Sequence, residues 1–336
     1  MSCNIIAKRN ILIKVLSPEY LISFTSSMKK RIAALDLGTN LFHLLIAEFD
    51  PSGNASFLLK KDFMVQIGEG GMAQQEIIPI AYGRGLETMC HIRKLLDEYE
   101  VNQVIGCATS AIRDAVNGKQ FVHDVLDQTG INIDIIHGHR EAELIHKAVI
   151  WGAELDKDQA ALLIDIGGGS VELILSKGGE IVWLDSLQLG AARLAEKFPV
   201  PDPIPPTYFG PLKEHIRSVL KSLPQIVLDH SPKSWIGVNG AFDTLSHILM
   251  ENQDKTVGFP HRFQFGMASY EIAATRLYQS TRAERTHFPG MIPVRIDNII
   301  LACAVIEVLA ELLPPETIHV SQYALLEGLI FEQTQT

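Results

Sequence analysis

Two aspartates stand at the same place in two copies of one phrase. Residues 31–48 read RIAALDLGTNLFHLLIAE, and residues 162–175 read LLIDIGGGSVELIL. Laid together without a gap, Asp36 falls on Asp165, Gly38 on Gly167, and Thr39 and Asn40 on Gly168 and Gly169. A carboxylate inside an aliphatic run is costly to bury unless a cation or hydrogen-bond donors meet it. Glycines leave the main chain bare, so a ligand can touch backbone N–H groups directly. Successive amides in such a corner form a nest for an anion. Thr39 and Asn40 add side-chain donors to the first corner, and Ser170 adds one to the second. Asp36 and Asp165 are hard oxygen ligands suited to Mg²⁺, directly or through its waters. Together these groups would hold phosphate between backbone amides and a divalent cation. The plainer alternative is that both aspartates merely cap their turns.

Other residues join this chemistry from further along the chain. Thr109-Ser110-Ala111-Ile112-Arg113-Asp114 opens a helix after a short strand, so its first amides face any anion placed there. Arg113 offers a forked donor to a phosphate, or else a surface ion pair with Asp114 or Glu98. Glu141 heads the helical REAELI segment, and Glu143, two residues on, faces another side of that helix. From the residues alone both read as solvated helix charges. His137-Gly138-His139 lacks a third ligand at a telling spacing and reads as a polar loop. His43 reads as a hydrogen-bonded structural histidine. Arg285 and Arg295 flank Phe288-Pro289-Gly290, where they would line a path for an anion.

The elements that must position these groups follow from the repeat. Each copy is an apolar strand, a D-[LI]-G-x-x corner, a second apolar strand, a turn and a third strand-like run, at 55–62 and 180–186. The copies lie 129 positions apart, too far for a solenoid and right for a duplicated domain. Strands alternating with helices place the chain in the α/β class. Duplicated antiparallel hairpins point to two domains of the actin/hexokinase type, with the two corners facing across a cleft. The dinucleotide-binding glycine fingerprint and the P-loop are both absent. The expected division is a leader at 1–27, a first domain at 28–144, a second at 145–321 and a C-terminal helix at 322–336 that packs back on the first domain. The leader reads as a poorly ordered extension, or Met28 as the natural start.

Composition narrows the function classes. The 336 residues are 47% hydrophobic, enough for two cores. A net charge of −10 without a Lys/Arg block argues against nucleic acid and the membrane surface. Four scattered cysteines with no C-x-x-C suggest reduced thiols in a cytoplasmic protein. The apolar run 299–313 contains Glu307 and Glu311 and is too short to span a bilayer.

The ordered set DLGTNLFHLLIAE, ATSAIRDAVNG, REAELI, IDIGGGSVEL, SLQLGAARL, GVNGAFDTL, ERTHFPGM and VSQYALLEGL resembles the Ppx/GppA phosphatase family. These are exopolyphosphatases and guanosine pentaphosphate phosphohydrolases of the actin-like (ASKHA) superfamily, built from ribonuclease H-like domains. The resemblance implies hydrolysis of terminal phosphoanhydride bonds in inorganic polyphosphate or guanosine pentaphosphate, with Mg²⁺ or Mn²⁺ as cofactor. It implies Glu141 as the glutamate that activates water, with Arg113 and Asp165 beside it. The implied metal ligands are Asp36, Asp165 and Glu172. The phosphate-binding groups are Gly38, Thr39, Asn40, Gly167, Gly168, Gly169 and Ser170. Leu41, Arg140 and Ala241 depart from the family's usual residues, which bears on substrate preference. The two-domain length favours short chains or a nucleotide, and a homodimer is compatible with it. The rival functions are a kinase on the same fold and a non-catalytic binder of polyphosphate or the alarmone.

Overall fold

The computed structural model describes residues 30–152, 159–251 and 263–333; the expected leader at 1–27 lies outside them. The first copy begins with a meander, β1 (Lys30–Leu37), β2 (Leu41–Phe49) and β3 (Ala55–Met64). Asp50 makes the turn between β2 and β3, its Oδ1 accepting the amides of Ser52 and Asn54 at 2.9 Å each. Helix α1 (Pro79–Glu98) leads to β4 (Gln103–Ala108), which lies parallel to β1. Two helices follow, α2 (Ser110–Asp114) and α3 (Gly118–Thr129), then β5 (Ile133–Ile135) and α4 (Gly138–Gly152). Strand β5 has only three residues, because the chain leaves the β4 edge after Ile136 and enters α4 at Gly138.

The second copy repeats this plan with insertions. Strands β6 (Ala160–Ile166), β7 (Val171–Lys177) and β8 (Glu180–Leu187) form its meander. Helices α5 (Ala191–Lys197), α6 (Phe209–Leu220) and α7 (Gln225–His230) precede β9 (Ser234–Val238), which is parallel to β6. Then come α8 (Gly240–Leu249), β10 (Gln264–Phe265), α9 (Met267–Gln279), α10 (Arg282–Arg285) and α11 (Asn298–Leu312). The described chain closes with β11 (Thr317–Ser321) and α12 (Leu325–Glu332). Among the described residues the first sheet runs β3-β2-β1-β4-β5. The second runs β8-β7-β6-β9-β11 in the same order, with β10 added at its edge. The duplication is therefore one of topology as well as sequence.

Period-2 alternation divides each central strand between two cores. In β1, Ala33, Leu35 and Leu37 face the core beneath α1 and α3, whereas Ile32 and Ala34 face a middle core. In β6, Ala161 and Leu163 face that same middle core, and Leu162, Ile164 and Ile166 face the core under the remaining helices. The middle core is filled by Leu144, Ile145 and Val149 of α4 and Leu326, Leu329 and Ile330 of α12. Helices α4 and α12 are thus sandwiched between the two sheets. They touch closely at Gly328, where a Cβ would lie 2.2 Å from the Leu144 carbonyl oxygen. The boundary expected at 144/145 falls inside α4, which runs unbroken from Gly138 and packs on β7 and β8 of the second sheet. Helix α12 packs on β1 and β2 of the first sheet, so each half lends a helix to the other. No helix of the described residues is long and apolar enough to cross a membrane.

Candidate active site

The two D-x-G corners meet at one cavity of about 600 Å³ between the sheets. Gly38 N donates to Leu41 O at 3.1 Å, and Gly167 N donates to Ser170 O at 3.0 Å, closing equivalent turns. Their amides are therefore spent on the turn and are not free for an anion. Carbonyls behind the corners are also occupied. Thr39 O accepts from Gly68, and Asn40 O from Val65 and Gln66. Gly167 O and Gly168 O accept from the first amides of α5, and Gly169 O accepts from Arg193 Nε at 2.9 Å. The amides of Thr39, Asn40, Gly168 and Gly169 have no acceptor among the described residues. With their carbonyl sides anchored, these corners offer N–H groups to the cavity they line. The corners approach closely: a Cβ on Gly168 would lie 2.9 Å from Thr39 Cβ and 3.0 Å from Asn40 Nδ2.

Carboxylates form the other wall. Asp36, Glu141, Asp165 and Glu172 all line the cavity. Asp165 lies opposite Glu172 in the β6–β7 hairpin. Glu172 is almost fully buried, and its Oε1 accepts from Ser186 Oγ at 2.6 Å. Burial pushes the Glu172 carboxyl up, against the hydrogen bonds from Ser186 and Ser170. Burial, then the charges of Glu172 and Asp36, push Glu141 well above the usual carboxylate range; Arg113 opposes this. Asp165 is raised in the same way, by burial and then by Glu172 and Asp36. Burial lifts Asp36 to about 6. Its Oδ1 is buried with no hydrogen-bond partner. Four crowded carboxyl groups and an orphaned hard oxygen fit a divalent cation.

Beyond the spent amides of Gly38 and Gly167, the structure differs from the expected arrangement in three respects. Arg113 does not line the cavity; its Nη1 donates to Glu141 Oε2 at 3.0 Å and to Ile136 O at 3.2 Å. It holds Glu141 from behind, because α2 is a single short turn that directs residue 113 towards the start of α4. No group of three or more His, Cys, Asp or Glu among the described residues forms a ready cage for a metal. Asp36, Asp165 and Glu172 therefore line one cavity without closing on a common point. That suits Mg²⁺, which keeps waters and substrate oxygens in its shell. Arg285 is fully buried, bonded to Ser280 O and Ile296 O and paired with Asp297, so it lines no path for an anion. Arg295 does line the cavity, with Nη1 donating to Thr244 Oγ1 at 3.3 Å.

Comparison with known proteins gives the family. Residues 45–336 match the Ppx/GppA phosphatase family. The chain belongs to that family. A crystal structure of an exopolyphosphatase from Cytophaga hutchinsonii superposes with a TM-score of 0.87 at 32% identity, covering 91% of this chain and 98% of that one. Exopolyphosphatase 2 of Mycobacterium tuberculosis is 28% identical over 312 residues, 89% of this chain and 97% of that protein. The Aquifex aeolicus Ppx/GppA structure shares the fold, with a TM-score of 0.75 at 22% identity over 92% of this chain and 99% of that one. A bifunctional 3-dehydroquinate synthase/phosphatase of Fusobacterium nucleatum is 36% identical over 173 residues, 49% of this chain and 26% of that protein.

Several residues in or beside the cavity of this Ppx/GppA chain escaped sequence reasoning. Ser186 was findable, since hairpin register sets it opposite Glu172. Lys60 and Asp62 line the cavity from β3 and carry no motif of their own, whereas Asp243 lines it from α8 within the GVNGAFDTL segment. Asp62 accepts from His43 Nδ1 at 2.7 Å, which gives His43 a partner at the cavity wall. Glu327 also lines the cavity and pairs with Lys60 at 2.8 Å. Arg193 joins the halves behind the corners, its Nη2 bonding Asp114 Oδ2 at 2.6 Å.

Proposed function

We propose that this member of the Ppx/GppA family is a divalent-metal-dependent phosphohydrolase that removes the terminal phosphate of inorganic polyphosphate. The observation that carries this reading is the position of Glu141. Its carboxylate is buried, held by Arg113, and placed on the same cavity as two corners with unspent amides. Two relatives described as exopolyphosphatases support the substrate class. The amides of Thr39, Asn40, Gly168 and Gly169 would grip the oxygens of the last phosphate. Asp36, Asp165 and Glu172 would hold Mg²⁺ or Mn²⁺. When bound, that cation offsets charge on the phosphate oxygens.

Glu141 orients a water and takes its proton as the water oxygen bonds to the terminal phosphorus. The bridging P–O bond then breaks, and its electron pair stays on the shortened chain. A carboxyl raised by burial is a more effective base near neutral pH than an exposed one. Guanosine pentaphosphate is a second substrate that the cavity supports, because Phe57 and Tyr323 add aromatic wall beside the polar groups. The test is phosphate release from pure protein given short polyphosphate, long polyphosphate and guanosine pentaphosphate separately, with and without Mg²⁺ or ADP. Release that requires Mg²⁺ and no ADP is expected. Release only with ADP would make the protein a kinase, and binding without release would make it a binder.

A further inference from the structure

The duplication gives Glu141 a counterpart. Glu141 stands six residues past Ile135, the end of β5, and Glu327 stands six past Ser321, the end of β11. Strands β5 and β11 hold the same place in their sheets. Both glutamates are buried in the first turn of helices α4 and α12, and both line the cavity. Their cations come from different places. Glu141 takes Arg113, five residues past Ala108 at the end of β4. The equivalent residue, five past Val238 at the end of β9, is Asp243 and carries the wrong sign. Glu327 instead takes Lys60 from β3 of the first sheet, with Nζ 2.8 Å from Oε1. Its other oxygen accepts the Ala324 amide at 2.9 Å, so the carboxylate is fixed at both ends.

Lys60 itself is half exposed and lines the cavity. An ammonium has three donors, and Glu327 takes one. Lys60 is two residues along β3 from Asp62, which lies across β2 from Asp36. With strands about 4.8 Å apart and a rise of about 3.3 Å per residue, Lys60 is roughly 12 Å from Asp36. Register sets Lys60 level with Ala34, two residues before Asp36, so it lies along the sheet away from the corner on the same cavity.

We propose that Lys60 is a substrate-binding residue for phosphates upstream of the scissile one, and that Glu327 is the positioning residue that holds it there. This rests on the polyphosphate reading above. A polyanion running out from the corners meets the free donors of Lys60, so the residue sets how strongly longer chains are preferred. Glu327 does for Lys60 what Arg113 does for Glu141, with the charges exchanged.

The test measures KM, kcat and equilibrium Kd for polyphosphates of increasing length with Lys60→Met, Glu327→Gln and the double variant. Lys61→Met, on the opposite face of β3, is the charge-matched control. Lys60→Met is expected to raise KM and Kd for long chains by about tenfold, the scale of one charge-assisted hydrogen bond. The rise should widen with chain length, and kcat should move far less than KM. Glu327→Gln should shift KM in the same direction, and the double variant should bind no worse than Lys60→Met alone. A KM change independent of chain length, or an equal change in Lys61→Met, overturns the proposal. Because Lys60 is half exposed, its variant keeps the test readable even if Glu327→Gln fails to fold. Unaltered protein that binds the chains without releasing phosphate contradicts the hydrolase reading, and the Lys60 comparison is then decided by Kd. Failure to bind them overturns both.

Discussion

Arg113 Nη1 lies 3.0 Å from Glu141 Oε2, and the same nitrogen also donates to the carbonyl of Ile136. The arginine thus binds the end of β5 and the start of α4 together while giving the buried carboxylate its countercharge. It acts on the candidate base, with no contact to the cavity where phosphate would sit.

Replacing Arg113 should therefore look like a misplaced base more than a lost substrate contact. Arg113→Met is expected to lower kcat by about 10²-fold, the scale of a small misplacement of a catalytic group, with a much smaller change in KM. Arg113 opposes the rise of the Glu141 pKa, so its loss should move the acid limb of the kcat–pH profile to higher pH. Arg113→Lys, which keeps charge without the fork, should fall between. Steady-state kinetics across pH would check this; a KM effect with unchanged kcat would return Arg113 to direct phosphate binding.

The corner residue Gly168 gives a steric prediction. A Cβ there would press on Thr39 and Asn40 of the opposing corner, forcing the two corners apart. Gly168→Val should raise KM by at least about tenfold. Its circular dichroism spectrum should stay near native, because both hairpins remain intact. Normal binding and turnover by this variant would reduce the corner to an ordinary turn.

The carboxylate cluster predicts a stability effect that depends on pH. A carboxyl whose folded-state pKa exceeds its unfolded value binds its proton more tightly when folded. It adds stability as pH falls through the folded value and costs stability once ionised. For Asp36 this window runs from about 6 down to the ordinary 3.8, and Asp165 and Glu141 extend it upwards. In chelator, Tm should rise as pH falls from about 8 to about 6. Mg²⁺ should raise Tm more at the higher pH, where it meets ionised ligands. Asp36→Asn should flatten both trends in scanning calorimetry. A Tm that falls over the same interval in chelator would contradict the clustered-carboxylate account.

Much of this was legible because the duplication repeats chemistry as well as strands. Asp36 and Asp165, with their glycine corners, declare themselves by alignment of the chain with itself. The two sheets follow from the alternating apolar residues of β1 and β6. Partners that arise only from tertiary contact were not legible. Arg113 reads as a phosphate donor because its helix start is local, while its approach to Glu141 depends on how β5 turns into α4. Arg285 reads as a cleft cation until its burial against Ser280 and Ile296 is seen. Lys60 and Glu327 lie 267 positions apart, and nothing local in either segment announces the pair. The position 144/145 lies inside α4 for a related reason: that helix belongs to the first copy by sequence and packs on the second sheet.

The central claim is that Glu141 is the base for hydrolysis, and Glu141→Gln tests it most directly. The amide keeps the shape and one acceptor oxygen but cannot take a proton from water. Single-turnover phosphate release and equilibrium polyphosphate binding should be measured together, with Glu143→Gln as control. Glu143 pairs with Arg140 along the same helix and lies outside the cavity. The account predicts a loss of about 10² to 10⁴ in the rate of release for Glu141→Gln, with affinity unchanged or improved. Glu143→Gln should remain near the unaltered protein. Release by Glu141→Gln within about threefold of the unaltered protein, well short of the general-base range, would contradict it.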